Sequence, residues 1–240
     1  MMGMCVMTEG GNPIPGPAGE AGPPMLRGFG LPARDWTIED TWHVAGLKGT
    51  GSHHIAITDT VVAATNFFDF TNSVSCLPGP LYQAVPQLLP LLHGANTIGI
   101  AEGAADDLVA LANTGRHQFR AATSMRDSEI FQFEIGRIAA DVRAARAFLT
   151  AQASSHWRHA LAGTLKDEAL AIQSMQTAAW LVTTCSRAAD ICFTLGGSSA
   201  LYDTSPLQRR LNDLHAAAQH YVVQQRHYRS AGKLLLGCNE

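Results

Sequence analysis

The sequence is poor in several things, and each shortage excludes a class. Its five cysteines (Cys5, Cys76, Cys185, Cys192 and Cys238) form no CxxC pair and no metal-ligand spacing. That argues against a zinc module or a disulfide framework and leaves reduced thiols in a cytoplasmic protein as the simplest reading. There is no excess of basic residues: the net charge is −3, so nothing announces a nucleic acid or an anionic membrane as partner. No apolar run reaches the roughly 18 residues of a membrane span. The most apolar stretch, 84–105, is interrupted by Pro86, Pro90, His93, Asn96 and Glu102. The opening "MMGMCVMTEGG" lacks the basic start and long apolar core of a signal peptide. Charged residues make up only 15% against 46% hydrophobic, the balance of a folded chain with a sizeable core rather than a disordered one. At 240 residues it can hold one large domain or two small ones.

What is present falls into two halves of different period. From residue 1 to about 80 the pattern is strands and turns. "MLRGFGLPA", "DWTIED" and "HHIAITDTVVA" read as short strands, whereas the Gly- and Pro-dense "GGNPIPGPAGEAGPP" (10–24) reads as irregular loop. "CLPGP" (76–80) marks a boundary, giving domains 1–80 and 81–240. Beyond it the helical period persists, and four long helices are expected at about 84–113, 126–160, 166–194 and 206–230. Asp127 sits at the mouth of the second, paired glycines end the third at "LGGSS", and Ser205–Pro206 opens the fourth. Short joints between long helices make an antiparallel four-helix bundle the default.

Two features carry possible chemistry. "TWHVAGLKGTGSHHIAI" (41–57) places glycines, Thr50 and Ser52 between a tryptophan-led run and a strand. It is not a phosphate loop, because no lysine follows the glycines and a strand follows instead of a helix. A β-hairpin turn presenting Trp42 and Ser52 is expected, with Trp42 equally able to anchor a core. On a wheel of the fourth helix, Leu207, Leu211, Leu214, Ala218, Tyr221 and Val222 share one face. His220 falls opposite, beside Arg209 and Asp213, so it is a solvated residue or part of a polar cleft where it can exchange protons. His215 and His227 read as surface residues. His53 and His54, adjacent on a strand, point to opposite faces and do not share a metal; no metal site is expected.

These segments together resemble the acyl-CoA dehydrogenase superfamily, and within it the branch of flavin-dependent monooxygenases. "DTWHVAGLKGTGSHHIAITDTVV" is similar to the late part of that family's middle β-domain. "GIAEGAADDLVALA" and "FQFEIGRIAADVRAARAFL" resemble the first two helices of its C-terminal bundle. "LGGSSALYDTSPLQRRLNDLHAAAQH" resembles the stretch closing the flavin site and ending on the family's histidine. The likeness runs over about residues 25–225. It implies an α+β fold: a partial antiparallel β-domain followed by an antiparallel four-helix bundle, without the family's N-terminal helical domain. A fragment or truncated product is therefore expected.

The resemblance also implies roles. Reduced FMN, or FAD, would come from a separate reductase and react with oxygen, one atom passing to an aromatic or heterocyclic substrate. The flavin carries the hard chemistry and the protein positions it. His220 matches the histidine near the reactive part of the flavin, with the role of managing a proton there. Ser198 and Ser199 match the flavin contacts after the glycine turn. Arg116, in "TGRHQF", resembles an arginine reaching a flavin phosphate in a neighbouring subunit, with Arg120 and Arg126 as alternative holders of that role. The family assembly is a homotetramer. Two departures stand out: Asn212 replaces an arginine, so an ion pair is lost or re-formed from Arg209 or Arg210, and Ala63 replaces a proline. The competing functions are an acyl-CoA dehydrogenase, for which no glutamate stands in a matching motif, and an inactive or oligomerising remnant.

Overall fold

The computed structural model describes residues 1–17, 19–69 and 77–238, with the side chains of 20, 21 and 84–87 left aside. Cys76, in the expected boundary, lies outside them. The chain divides into two compact units: Met1–His43 with Gly49–Leu77, and Val44–Lys48 with Pro78–Glu240. Residues 44–48 thus group with the helices, although the sequence reading had placed them among the strands.

In the strand unit, β1 (Met2–Val6), β6 (Leu26–Gly30) and β9 (Phe67–Phe68) form an antiparallel sheet in the order β1-β6-β9. Phe29 of β6 is 6% exposed and stacks on Trp36 at 5.5 Å, with Phe67 at 5.8 Å. Among the described residues this unit also holds three two-stranded pairs. They are β2 (Thr8–Glu9) with β3 (Asn12–Pro13), β4 (Pro15–Gly16) with β5 (Gly19–Pro24), and β7 (Thr37–Glu39) with β8 (His54–Ala56). The segment expected to be irregular therefore holds paired strands. Gly10 and Gly11 adopt φ of +57° and +84°, the left-handed pair that a two-residue hairpin loop requires, so glycine density here marks a tight hairpin.

The helical unit is built from α1 (Pro80–Asn113), α2 (Glu129–Ala162) and α3 (Glu168–Gly196), followed by the shorter α4 (Pro206–Ala217) and α5 (His227–Leu236). Its core takes a stripe from each of the first four helices: Ile98, Ala101, Ala104 and Leu108 of α1, Ile138, Val142 and Ala145 of α2, Leu181, Cys185, Ala188 and Cys192 of α3, Leu207 and Leu214 of α4. The 3–4 residue spacing aligns these side chains on one face of each helix. Alanines between the larger residues let the helices approach closely while leucines and isoleucines fill the gaps. Burial pushes the thiols of Cys185 and Cys192 up to about 12, so both are inert core residues.

The helix ends follow local chemistry. Ser128 caps α2 by accepting from Phe131 N, one residue after the acidic Asp127 picked from the sequence, and Asp167 caps α3 by accepting from Leu170 N. Pro80 opens α1 four residues before the expected start.

One expected helix breaks. Instead of running to 230, α4 ends at Ala217, a 3-10 turn spans Tyr221–Val223, and α5 begins at His227. Val222 and Val223 are both buried, at 4% and 3% exposure, in a cluster with Ala178 and Val182. Adjacent residues of an α-helix point about 100° apart, so sinking both into one cluster favours leaving the helix. Consecutive β-branched side chains weaken helical preference at the same place. Among the described residues no helix is long and apolar enough to cross a membrane.

Candidate functional site

The glycine turn forms where α3 ends. Gly197 adopts φ +58° and ψ −145°, a conformation that is nearly glycine-only. A 3-10 turn over Gly197–Leu201 then carries Ser198 and Ser199. A Cβ on Gly196 would lie 2.6 Å from the Leu207 side chain, so the turn is seated against the start of α4. Across from it lies the loop after α1. Arg116 donates from Nη2 to Ser198 Oγ at 3.2 Å, and Gln118 donates from Nε2 to Leu195 O at 3.2 Å. Arg116 is half-buried, and its Nε is shielded from solvent with no hydrogen-bond partner. A guanidinium N–H left bare in this way is costly, and an anionic oxygen would satisfy it. Ser199 is half-buried in the same turn, and a cavity of about 160 Å³ is lined by Gln118, Thr123, Ser124, Met125, Phe131 and Leu195.

The structure thus brings together Arg116 and Ser198, 82 residues apart. Arg120 and Arg126 take no part in the contact. Arg120 lies over the ring of Phe119 at 5.2 Å, and Arg126 is exposed.

His220 stands at the other end of α4. Twelve residues at about 1.5 Å rise make that helix roughly 18 Å long, so His220 is not in the Arg116–Ser198 cluster of its own chain. Its exposure agrees with the wheel, but the reason differs, since His220 lies beyond the helix in extended conformation. Its Nδ1 accepts from Val222 N at 3.4 Å, so the neutral ring carries its proton on Nε2. The ring stacks on that of His93, with centroids 4.8 Å apart and planes at 29°. His93 lies half-buried on α1 and donates from Nε2 to Ala217 O at 2.9 Å. Burial, more than the neighbouring His220, holds the His93 pKa below its usual 6.5, against the opposing pull of the Ala217 carbonyl.

Asp213, grouped with His220 on the wheel, does something else. Its Oδ1 accepts Leu47 N at 2.6 Å. Gly46 is buried beneath, where a Cβ would lie 2.0 Å from Asn212 O. Arg210, one of the two arginines beside the Asn212 replacement, pairs through Nε with Asp107 Oδ2 at 3.1 Å. His215 pairs with Asp190 at 2.7 Å on the surface. Among the described residues no group of three His, Cys, Asp or Glu side chains is placed to hold a metal.

The 41–57 segment is a broad connection rather than a tight turn. Glu39 of β7 pairs with His54 of β8, and residues 40–53 bridge them. His53 organises one end: its Nδ1 accepts from both Thr41 N and Trp42 N at 3.2 Å. Trp42 is half-buried, whereas Ser52 is exposed and bonds Thr50 Oγ1 at 3.3 Å.

The sequence reading missed His93 and the Gly46–Leu47 tether. The available signal for His93 was a titratable residue in the apolar run "LLPLLHGANTIGI", noted only as an interruption.

A family model described as "Acyl-CoA dehydrogenase, C-terminal domain" matches residues 91–225, more than half the chain. The chain belongs to the acyl-CoA dehydrogenase family. Within that family it is similar to indole-3-acetate monooxygenase of Pseudomonas putida, at 31% identity over 86% of this chain and 53% of that protein. It is likewise similar to the oxygenase component of an FADH(2)-dependent resorcinol hydroxylase of Rhizobium sp., at 31% identity over 79% and 50%. The chain spans about half the length of these curated relatives. Among solved structures, the 3-HSA hydroxylase from Rhodococcus sp. RHA1 superposes with TM-score 0.81 at 24% identity, covering 92% of this chain and 59% of that one. The HsaA monooxygenase from M. tuberculosis does so with TM-score 0.75 at 25% identity, covering 91% and 58%. The fold of this acyl-CoA dehydrogenase family member is thus the expected α+β arrangement of small antiparallel sheets and a helical bundle.

Proposed function

We propose that the chain is the C-terminal portion of the oxygenase component of a two-component flavin-dependent monooxygenase. Such a protein takes reduced flavin from a separate reductase and, with oxygen, hydroxylates an aromatic or heterocyclic substrate. The observation that carries the reading is the Arg116–Ser198 contact at the Gly196–Ser199 turn, with Arg116 Nε buried and unpaired. A flavin phosphate fits that donor set: the guanidinium fork suits a phosphate better than an ammonium does, and the Ser198 hydroxyl lies beside it. Similarity to monooxygenases named for indole-3-acetate and resorcinol supports the aromatic substrate class.

Bound reduced flavin would supply oxygen activation, and this chain's residues would position and protect. Arg116 and Ser198 hold the anionic end. His220, with Nδ1 engaged by Val222 N, offers Nε2–H as the atom that donates or holds a proton. Burial lowers the His93 pKa, which disfavours a second charge beside it. In one chain these two clusters are separated by the length of α4 and His220 is exposed. This supports a homotetramer in which neighbouring copies complete and close the site. Among the described residues no carboxylate hydrogen-bonds to His220 or His93, which disfavours the dehydrogenase reading and its carboxylate base.

The test is to add FMN or FAD, each reduced by a flavin reductase, with isotopically labelled oxygen and a panel of phenols and indoles. Label in a hydroxylated product is expected, and the preferred flavin is read from anaerobic titration. Tightly held flavin with oxidation of an acyl-CoA, and no labelled product, would overturn it.

A further inference from the structure

We propose that His93 is a positioning residue for His220, holding the plane of its ring from the neighbouring helix so that Nδ1 meets Val222 N and the proton stays on Nε2. The proposal concerns the geometry of the pair. Only its catalytic consequence rests on the monooxygenase reading.

Four contacts converge on the segment that carries His220. The carbonyl of Ala217, at the end of α4, accepts the His220 backbone N–H at 3.2 Å and the His93 Nε2–H at 2.9 Å. Terminal helix carbonyls lack intrahelical partners, so His93 grips the oxygen from which the turn departs. The two rings then stack face to face. Val222 N engages His220 Nδ1, and Val222 is itself anchored in the buried cluster with Ala178 and Val182. One face and one nitrogen of the His220 ring are committed, and Nε2 remains for chemistry.

The stack also constrains charge. Two imidazolium rings at this separation would repel, so the arrangement tolerates a proton on His220 only while His93 is neutral. Half-buried on α1 and with Nε2–H committed to a carbonyl, His93 is suited to that state. Capping α4 would need only the hydrogen bond. Presenting His220 needs the ring.

Two substitutions separate those roles. His93→Gln keeps an N–H donor for Ala217 O and removes the ring, whereas His93→Phe keeps a ring and removes the donor. The first readout needs no flavin: nitrogen NMR of the full chain, with the His220 signals assigned through His220→Gln. A single Nε2–H tautomer is expected in the unsubstituted protein and in His93→Phe, and a mixture of tautomers in His93→Gln. The second readout is product formed per oxygen consumed. It should fall about tenfold or more in His93→Gln, since misplacing a reacting group by an ångström costs up to about a hundredfold. That loss should vanish in a His220→Gln background, as expected when one residue acts through the other. Identical His220 nitrogen signals in the unsubstituted protein and His93→Gln would overturn the proposal, as would coupling losses that add. Absence of turnover in the unsubstituted protein would count against the monooxygenase reading, with the NMR comparison still deciding the role of His93.

Discussion

Replacing Gly46 by alanine tests whether residues 44–48 belong to the helical unit through the contact seen here. The new Cβ would stand 2.0 Å from Asn212 O, 2.3 Å from Asn212 C and 2.7 Å from Asp213 N. These are backbone atoms of α4, held by the helix, so the segment must move and the helix will not. Reaching ordinary contact at 3.4 Å requires about 1.4 Å of displacement. Moved that far outward, Leu47 N would lie about 4.0 Å from Asp213 Oδ1 instead of 2.6 Å, beyond hydrogen-bonding range. Losing a hydrogen bond to a charged acceptor costs about 1.5–3 kcal/mol. For a chain of this size that corresponds to a fall of roughly 3–12 °C in Tm. The assay is thermal unfolding followed by helical circular dichroism for Gly46→Ala, Asp213→Ala and the double variant. The two single losses should not add, because either one breaks the same bond. A Tm within 1 °C of the parent for Gly46→Ala (about 0.5 kcal/mol or less), with the full Asp213→Ala loss still present in the double variant, would refute the tether.

Three other outcomes follow from the site. Arg116→Ala should weaken reduced-flavin binding about tenfold to a hundredfold, the worth of a charge-assisted contact, with Arg116→Lys between; unchanged anaerobic titrations would remove Arg116 from the site. Gly197→Ala forces a side chain into φ +58° and ψ −145° and should cost about 1–3 kcal/mol, read by denaturant unfolding. The depressed pKa of His93 means the unfolded chain takes up that proton first as pH falls below about 6.5. Its contribution is therefore constant above that pH and is lost as pH drops toward the lower folded value; His93→Gln should remove that part of the acid slope in a pH series of unfolding curves.

Local pattern carried much of the fold. A helix was expected at about 84–113, and the structure places Ile98, Ala101, Ala104 and Leu108 of α1 in the core. Asp127 and Ser205–Pro206 marked helix starts within a few residues. These signals are legible because a helix turn is decided by neighbours within four positions. The "LGGSS" turn was legible for the same reason: paired glycines offer backbone angles other residues avoid.

Tertiary structure decided the rest, where the deciding partner is remote in sequence. Of three arginines in one loop, only Arg116 reaches Ser198, across 82 positions. No periodicity within the loop distinguishes it from Arg120 or Arg126. The fourth helix looked continuous because its apolar face extends to Tyr221 and Val222, yet burying both Val222 and Val223 against α3 favours ending it early. His93 became part of the site through a carbonyl 124 residues away and a stacked ring. Gly46, one small residue in a glycine-bearing loop, matters because α4 leaves no room for a Cβ. The sequence by itself determined the elements and the family, through interactions local to each segment. Only the packing of distant segments decided which polar groups meet, because a hydrogen bond is specified by the positions of both its ends.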